Sequence, residues 1–144
     1  MIEIRDLGAA EPDARVGLFE AVLPGFEASL DRAGLQAFLE DPASFAVGAY
    51  VDGVPAGLAW GMRMRSPNGR LTTYLHELDV REEWRRQGVG TALVGAAMSL
   101  ARVGGSTRFW LSTGGHNDVA QALYESLGGD RKPRGDVNYW WSLG

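Results

Sequence analysis

The spacing of apolar and polar residues changes along the chain, and each spacing predicts a different kind of element. Alternation over residues 1–7 predicts a short strand. Residues 11–23 show a loose helical pattern that Pro24-Gly25 ends, and a second short helix follows. Asp31 is placed to cap this second helix, and Asp41-Pro42 is placed to stop it.

The middle of the chain alternates with a period of two, which is typical of strands with one buried face. Strands are predicted over residues 44–51, 54–65 and 70–80. Asp52-Gly53 separates the first two and Pro67-Asn68-Gly69 separates the second pair, and both sequences are typical of tight turns. We therefore expect three antiparallel strands in succession.

The second half alternates helices with strands. Apolar residues recur at helical spacing between Val89 and Leu100, and Gly104-Gly105 ends that helix. A strand over residues 107–113 and a helix over residues 117–127 follow. Strands that are separated by helices after an antiparallel meander predict an α/β (α+β) fold with a mixed sheet.

A last strand is predicted over residues 137–143. It carries Tyr139, Trp140 and Trp141, and we assign alternate members of this strand to the core in preference to the wall of the acceptor pocket. No repeat, linker or low-complexity tract interrupts the pattern, so residues 1–144 are predicted to form one domain.

The composition excludes several classes of protein. With 45% apolar and 22% charged residues, the chain has the composition of an ordinary globular domain. The net charge of -4 argues against a surface devoted to nucleic acid. Cysteine is absent, which removes disulfides, thiolate nucleophiles and cysteine-based metal sites, and only His76 and His116 remain as imidazoles. No metal is expected.

The sequence carries no signal for export or membrane insertion. Residues 1–10 begin with charges where a signal peptide needs an apolar run. Nowhere do about 18 uncharged apolar residues follow one another. We expect a cytoplasmic location and no contact with a membrane.

The stretch over residues 80–93 joins a predicted strand to a long helix and is the strongest candidate for ligand chemistry. It contains Arg85, Arg86, Gly88 and Gly90. A helix start leaves unpaired backbone N–H groups and a partial positive charge, which suit a phosphate, and glycines let the backbone approach a ligand closely. A well-capped amphipathic helix after a basic turn is the alternative without a ligand.

Two known phosphate motifs fail in this stretch. A P-loop requires a lysine directly after its last glycine, but the sole lysine is Lys132. A dinucleotide fingerprint requires a third glycine where Leu93 stands, and it does not expect two arginines just before the first glycine. A pyrophosphate held by the backbone of residues 86–91, with charge from Arg85 and Arg86, remains the third hypothesis.

Two motifs resemble one known family. Arg85-x-x-Gly88-x-Gly90, after Leu78-Asp79-Val80, resembles the cofactor motif of the GNAT superfamily, the acetyl-coenzyme A dependent N-acetyltransferases. Asn117-x-x-Ala120-x-x-x-Tyr124-x-x-x-Gly128 resembles the later Asn-to-Tyr segment of the same family. The order of elements also matches, so the resemblance covers essentially the whole chain. It implies a mixed, mostly antiparallel sheet of about six to seven strands with helices on both faces.

The resemblance also implies where acetyl-coenzyme A would lie. Leu78-Asp79-Val80 would separate from the next strand at a bulge, and the backbone of Leu78 and Val80 would hydrogen-bond the pantetheine arm. Asn117 would contact the same arm, and Tyr124 would reach the thioester sulfur. The residues implied for the pyrophosphate are Arg85, Arg86, Gln87, Gly88, Val89, Gly90 and Thr91.

Direct attack of an amine on the thioester fits the residues present, because no cysteine or G-x-S-x-G elbow could form an acyl-enzyme. An alkylammonium is about a thousandth free base near neutral pH, so a base is useful. Glu77, acting through water, is the predicted base, with His76 second and Asp79 or solvent as further alternatives. Tyr124 is the predicted acid for the leaving thiolate, and a core tyrosine is its alternative role.

The face that each candidate base occupies depends on the regularity of its strand. With strict alternation, Glu77 and Asp79 share one face, and His76 and Leu78 share the other; a bulge would change this.

The predicted acceptor is a primary amine of a small molecule, aminoglycoside- or polyamine-like, and it would contact Glu27, His76 and Glu77. Glu20 and Asp31 would make the mouth of the site friendlier to cations, although ordinary solvated helix charges are the simpler interpretation.

Other assignments stay open beside this one. A peptide or protein amine is a second acceptor class, and a non-catalytic acyl-coenzyme A sensor is the alternative to an enzyme. A homodimer is considered as the assembly. Arg63 and Arg65 are candidates to flank the coenzyme phosphates, although exposed strand arginines are commoner.

Overall fold

A mixed β-sheet forms the frame of the computed structural model, which describes residues 1–8, 12–22, 31–131, 139 and 141–144. Among these residues the strands lie in chain order, with β1 to β4 pairing antiparallel and β5 lying parallel to β4. The sheet is built from β1 (Ile2–Asp6), β2 (Ser44–Val51), β3 (Val54–Arg65), β4 (Leu71–Val80) and β5 (Arg108–Leu111).

Helices precede, interrupt and follow the strands. The predicted cap Asp31 is confirmed, since its carboxylate accepts a hydrogen bond from the backbone N–H of Gly34 at 3.0 Å. No helix in the described ranges is long and apolar enough to cross a membrane. The helices are α1 (Pro12–Val22), α2 (Arg32–Glu40), α3 (Val89–Val103) and α4 (Asp118–Ser126), and a 3-10 turn (Glu82–Trp84) precedes α3.

Alternate residues of β2 enter two separate cores, one on each face of the sheet. Phe45, Val47 and Ala49 lie in the core beneath α3, whereas Ala46 and Tyr50 lie in the core beneath α1 and α2. The predicted mixed α/β fold with helices on both faces is therefore confirmed. The helical contributions are Leu18, Phe19 and Val22 from α1, Leu35 from α2, and Val89, Leu93, Val94 and Ala97 from α3.

The predicted elements agree with the structure best where their period is regular. Strands 44–51 and 54–65 are confirmed to the residue, while the strand predicted over 107–113 is shorter. The described residues form five strands, fewer than predicted. Of the predicted strand 137–143, residues 137, 138 and 140 lie outside the described residues, and residues 139 and 141–143 do not form a strand. Tyr139 and Trp141 are 74% and 73% exposed, so these two alternate members are not in the core.

An extra residue interrupts the pairing of β3 with β4. Trp60 lies opposite Glu77, but Gly61 lies opposite Leu75, so His76 has no partner in β3. This one-residue surplus is a β-bulge, which locally bends the strand and increases its twist.

The bulge decides which side chains of β4 share a face. Leu75, Leu78 and Val80 all pack toward the core beneath α3, a spacing that strict alternation does not allow. His76 and Glu77 both contact Trp60 on the opposite face, so the expectation that His76 shares a face with Leu78 is wrong.

We predict that Gly61→Ala destabilises the bulge. A Cβ at this position would overlap the Tyr74 carbonyl oxygen and lie 2.9 Å from Cε1 of Phe45, and backbone atoms cannot move aside without disrupting β4. The free energy of unfolding, measured with urea, should fall by about 2 kcal/mol or more.

Gly95→Ala on α3 is the matched control for this change. A Cβ there meets nothing within 4 Å, so the same substitution should stabilise the helix by about 0.5–1 kcal/mol. Equal stabilities for Gly61→Ala and the unmodified protein would contradict the packing described at the bulge.

Candidate active site

A gap opens between β4 and β5 beyond the bulge. The two strands pair only over Thr72–Leu75 of β4 and Arg108–Leu111 of β5. Residues 76–80 of β4 therefore have no strand partner on that edge within the described chain, although 77–80 still pair with β3. Their outward-facing backbone groups are available to an extended ligand, as at any free strand edge.

The loop after β4 leads directly from this gap to the start of α3. Arg86 and Gly88 adopt positive φ values of 60° and 87°, which turn the chain sharply, and the second is a conformation that glycine adopts without strain. The first intrahelical bond runs from Ala92 N to the Gly88 carbonyl. The backbone N–H groups of residues 89–91 are thus not used within the helix, as is usual at a helix start.

The side chains of this loop divide into those that build it and those that remain exposed. Arg85 Nε donates to the Val80 carbonyl at 3.0 Å, which ties the loop to the end of β4. Gln87 Nε2 donates to the Glu83 carbonyl at 3.0 Å, so this side chain supports the preceding turn. Arg86 and Thr91 are exposed. In the backbone of Leu78 and Val80, which is expected to bind pantetheine, the Val80 carbonyl thus already accepts a hydrogen bond from Arg85.

Gly90 allows α4 to approach the start of α3. A Cβ on Gly90 would lie 3.2 Å from Leu123 Cδ2, tighter than an ordinary contact. This close approach places α4 beside the loop and the gap.

Asn117 and Tyr124 stand at the start and near the end of α4. Asn117 Oδ1 accepts a hydrogen bond from Ala120 N at 3.1 Å, so its side chain is the N-cap of α4. Tyr124 packs against the core beneath α3, and burial raises the pKa of its hydroxyl. The hydroxyl is therefore protonated at neutral pH and can donate a proton.

Glu77 and Asp79 form a pair of carboxyl groups on the other side of the sheet. Trp60 Nε1 donates to Glu77 Oε2 at 2.8 Å and fixes that side chain. The pKa of Asp79 is raised to about 7, first by burial, then by a hydrogen bond with Glu77 and by its charge, and the Arg85 guanidinium opposes the shift.

Asp79 Oδ2 is buried and accepts no hydrogen bond from the described residues. The hydrogen bond between Asp79 and Glu77 requires a proton on one of the two carboxyl groups. With a pKa of about 7, Asp79 exchanges its proton near neutral pH.

The remaining acceptor candidates are dispersed. His76 is exposed, and its ring centroid lies 4.7 Å from that of Trp60. Glu27 lies outside the described residues. Glu20 accepts from Arg32 at 3.0 Å and Asp31 caps α2, so these two carboxylates already have partners, in agreement with ordinary helix charges.

Arg63 and Arg65 do not lie near the phosphate loop. Arg63 Nη1 donates to the Ser44 carbonyl and Arg65 Nη1 to the Gly69 carbonyl, both at 2.9 Å. These residues pair with Thr73 and Leu71, at the opposite end of β4 from Val80. Their suggested role as flanks of the phosphates is wrong.

Two features of the site escaped the sequence analysis. One is Trp60, whose N–H orients Glu77, and the other is the stack of Tyr74 on Trp110, with ring centroids 4.2 Å apart. The only sequence signal was the alternation of large side chains in adjacent predicted strands, which does not indicate register.

No group of three or more His, Asp or Glu side chains that could hold a metal occurs among the described residues. The site therefore consists of a strand gap, a loop suited to an anion at its end, and proton-carrying side chains on both faces of the sheet.

A family model described as the acetyltransferase (GNAT) family matches residues 15–129. Solved structures share the fold at low sequence identity. An aminoglycoside acetyltransferase, meta-AAC0020 from an uncultured soil metagenomic sample, in complex with trehalose, is 19% identical, with a TM-score of 0.84 over 99% of this chain and 97% of that chain. No curated protein matches the sequence.

Two further structures show the breadth of the comparison. The aminoglycoside N-acetyltransferase AAC(6')-Iy, in complex with CoA, is 20% identical, with a TM-score of 0.78 over 100% of this chain and 96% of that chain. The ribosomal-protein-alanine N-acetyltransferase from Brucella melitensis biovar Abortus 2308 is also 20% identical, with a TM-score of 0.74 over 97% of this chain and 100% of that chain. At these identities the likeness shows the fold alone.

The raised pKa of Asp79 predicts a stability that falls as pH rises. Between about pH 4 and pH 7 the unfolded chain has lost this proton while the folded chain retains it, so folding becomes less favourable with rising pH. Water screens a half-buried carboxyl, so we expect a decline of about 1–2 kcal/mol rather than the full value of the shift.

Asp79→Asn should remove this decline, because asparagine resembles the protonated acid. Urea unfolding at pH 4, 5.5, 7 and 8 measures it, and Glu125→Gln, which removes an exposed carboxyl from α4, should keep the unmodified curve. A curve of unchanged shape for Asp79→Asn would show that another group is responsible.

Proposed function

Since the chain belongs to the acetyltransferase (GNAT) family, we propose that this N-acetyltransferase transfers the acetyl group of acetyl-coenzyme A directly to the primary amine of a small molecule. The observation that carries the proposal is the gap beyond the bulge of β4. Glu77 lies on one face of the sheet at this gap, and Tyr124 packs into the core on the other face. A thioester in the gap would meet both.

The loop after β4 fits the diphosphate of the coenzyme. Its unused N–H groups at residues 89–91 and the exposed Arg86 supply donors and positive charge, and Gly88 holds the turn that presents them. The free edge at residues 76–80 fits an extended pantetheine arm, which carries two amides. Asn117 is the cap of α4, so only its amide nitrogen is offered to that arm.

Proton transfers at the two faces complete the reaction. Glu77 takes a proton from the bound ammonium, directly or through water, and the freed nitrogen attacks the thioester carbon. A C–N bond forms, the C–S bond breaks, and the nitrogen releases its second proton, which replaces the one that Tyr124 gives to the sulfur. Tyr124 donates its proton to the departing sulfur, a role for which a raised pKa keeps the hydroxyl protonated.

Asp79 supports the base. The pKa of Asp79 is raised to about 7, so part of the molecules carry it ionised near neutral pH, and in these a proton that Glu77 accepts can pass on to Asp79. Trp60 holds Glu77 in place during this transfer. His76, Asp79 itself and solvent remain the alternatives for the base.

A small-molecule acceptor, aminoglycoside- or polyamine-like, is favoured over a peptide by three similar structures of aminoglycoside acetyltransferases, with TM-scores of 0.84, 0.83 and 0.82. A peptide or protein amine is the alternative that the ribosomal-protein-alanine acetyltransferase fold suggests. A cytoplasmic homodimer is part of the proposal.

We predict that Thr91→Glu weakens coenzyme binding without destabilising the protein. A carboxylate in the first turn of α3 is favourable for the helix but repels a pyrophosphate at the same place. The dissociation constant of coenzyme A, measured by calorimetry, should rise at least tenfold. Ser99→Glu adds the same charge to an exposed position further along α3 and should bind normally. Unchanged binding in Thr91→Glu would remove the loop from the site.

We predict that Tyr124→Phe lowers kcat by about a hundredfold or more, the usual contribution of one proton transfer. The coenzyme dissociation constant should change far less, because the ring remains packed beneath α3. Equal kcat values with a good acceptor would assign Tyr124 to the core alone.

We predict that Glu77→Gln lowers kcat/KM by about a hundredfold or more and removes the rise of kcat/KM with pH that a carboxylate base produces. The test is steady-state release of free coenzyme A with a panel of small amines and amine-bearing peptides. Glu40→Gln, at the exposed end of α2, is the control. A normal rate and pH profile would move the base to His76, Asp79 or solvent.

The same panel distinguishes the function classes. Release with small amines supports the proposal, release with peptides alone supports the protein-modifying alternative, and tight coenzyme binding without release on any amine supports a sensor.

A further inference from the structure

A row of aromatic rings crosses β3, β4 and β5 on the face that carries Glu77. Trp60, His76, Tyr74 and Trp110 follow one another with ring centroids 4.7, 5.7 and 4.2 Å apart, and we refer to these four residues as the aromatic row. Phe38 of α2 closes one end, with its ring edge-on to Trp60 at 5.3 Å.

The other end of the aromatic row is open to solvent. Trp110 is 43% exposed and His76 is exposed, whereas Trp60 and Tyr74 are half-buried. Among the described elements, α1 and α2 pack on this face mainly against β2 and β3. The rings of β4 and β5 are therefore available to a ligand.

The aromatic row is joined to the proposed base. Trp60 donates to Glu77, and Tyr74 lies three residues before Glu77 on the same strand. Because strand residues are about 3.3 Å apart, a group that extends roughly 7–10 Å from an ammonium held at Glu77 lies over Tyr74 and Trp110. A ring that bears the amine directly or through a short arm covers about this length.

The charges also suit a cation that carries a ring. Ring faces are negative, and the described guanidinium–ring contacts are Arg5 on Tyr50 and Arg63 on Phe45, both away from the aromatic row. Trp60 of the row donates to the Glu77 carboxylate, which would attract an ammonium. Burial raises the pKa of the neighbouring Asp79 to about 7, so it adds only part of a negative charge near neutral pH.

We propose that the aromatic row is the platform for the acceptor and that it selects primary amines borne on a ring over open-chain amines. The ring stacks on Tyr74 and Trp110 while its amine reaches Glu77. This inference rests on the proposed acetyltransferase function and specifies its substrate class. Aromatic rings and the apolar face of a sugar ring share this chemistry.

The test compares 2-phenylethylamine, glucosamine, n-hexylamine and spermidine as acceptors. We expect a kcat/KM at least tenfold higher for a ring-bearing amine than for either open-chain amine, and the first two compounds distinguish an aromatic ring from a sugar. Trp110→Leu, which keeps apolar bulk but removes the ring, should reduce that ratio at least fivefold. Trp110→Phe, which keeps a ring at this position, should retain most of the kcat/KM ratio. The dissociation constant of coenzyme A should be unchanged in both variants.

Met64→Ala is the matched control, because Met64 is an exposed apolar residue on the same face outside the aromatic row. Its ratio should equal that of the unmodified protein. A preference for open-chain amines, or an unchanged ratio in Trp110→Leu, would overturn the proposal. Light scattering measures the oligomeric state of each variant. If Trp110→Leu changes the oligomeric state but leaves the ratio unchanged, a second copy of the chain covers the aromatic row and the proposal is wrong.

A binding measurement separates this inference from the proposed function. Calorimetry with coenzyme A-saturated protein compares 2-phenylethylamine and glucosamine with n-hexylamine. If no amine is acetylated but a ring-bearing amine binds at least tenfold more tightly, with this preference lost in Trp110→Leu, the proposed function fails and the platform stands. If amines are acetylated without a ring preference, only the platform fails.

Discussion

The extra residue in β4 is the constraint on which the rest of the site depends. Without His76 as a bulge, Leu78 and Val80 would leave the core beneath α3, because a shift of one residue moves every following side chain to the other face. With the bulge, the apolar residues stay buried and Glu77 lies beside Trp60. The pairing of β4 with β5 ends at the same place, since Leu75 is the last paired residue. The extra residue His76 thus positions Glu77, the proposed base, and lies directly after the point where the pairing of β4 with β5 ends.

The gap and the loop are coupled through the end of β4. Arg85 bonds the Val80 carbonyl, and the positive φ values of Arg86 and Gly88 turn the chain into α3 within a few residues. Gly90 then allows Leu123 of α4 to pack closely. Backbone donors at the start of α3, the free edge of β4 and Tyr124 are therefore held by one contiguous set of contacts, which suits a long ligand that must be gripped at several points.

The pairing of the Glu77 and Asp79 carboxyl groups destabilises the folded protein near neutral pH. Burial beside Glu77 raises the pKa of Asp79, and the ionised form has no donor for Oδ2 among the described residues. A core residue at this position would avoid that penalty. A pair that exchanges a proton near neutral pH is, however, suited to accept one from an ammonium, and active sites commonly contain such perturbed groups.

The sequence by itself determined the elements and the family. Period-two segments with Asp-Gly and Pro-Asn-Gly turns located β2 and β3, and Asp31 marked the start of α2, because turns and caps act through neighbours in the chain. Tertiary structure alone decided the face of His76, the engagement of the Val80 carbonyl and the position of Arg63, since each depends on a partner distant in sequence. The pairing of Trp60 with Glu77 has the same origin, because the bulge shifts the register of β4 by one residue and the alternation along the strand does not show where that shift falls.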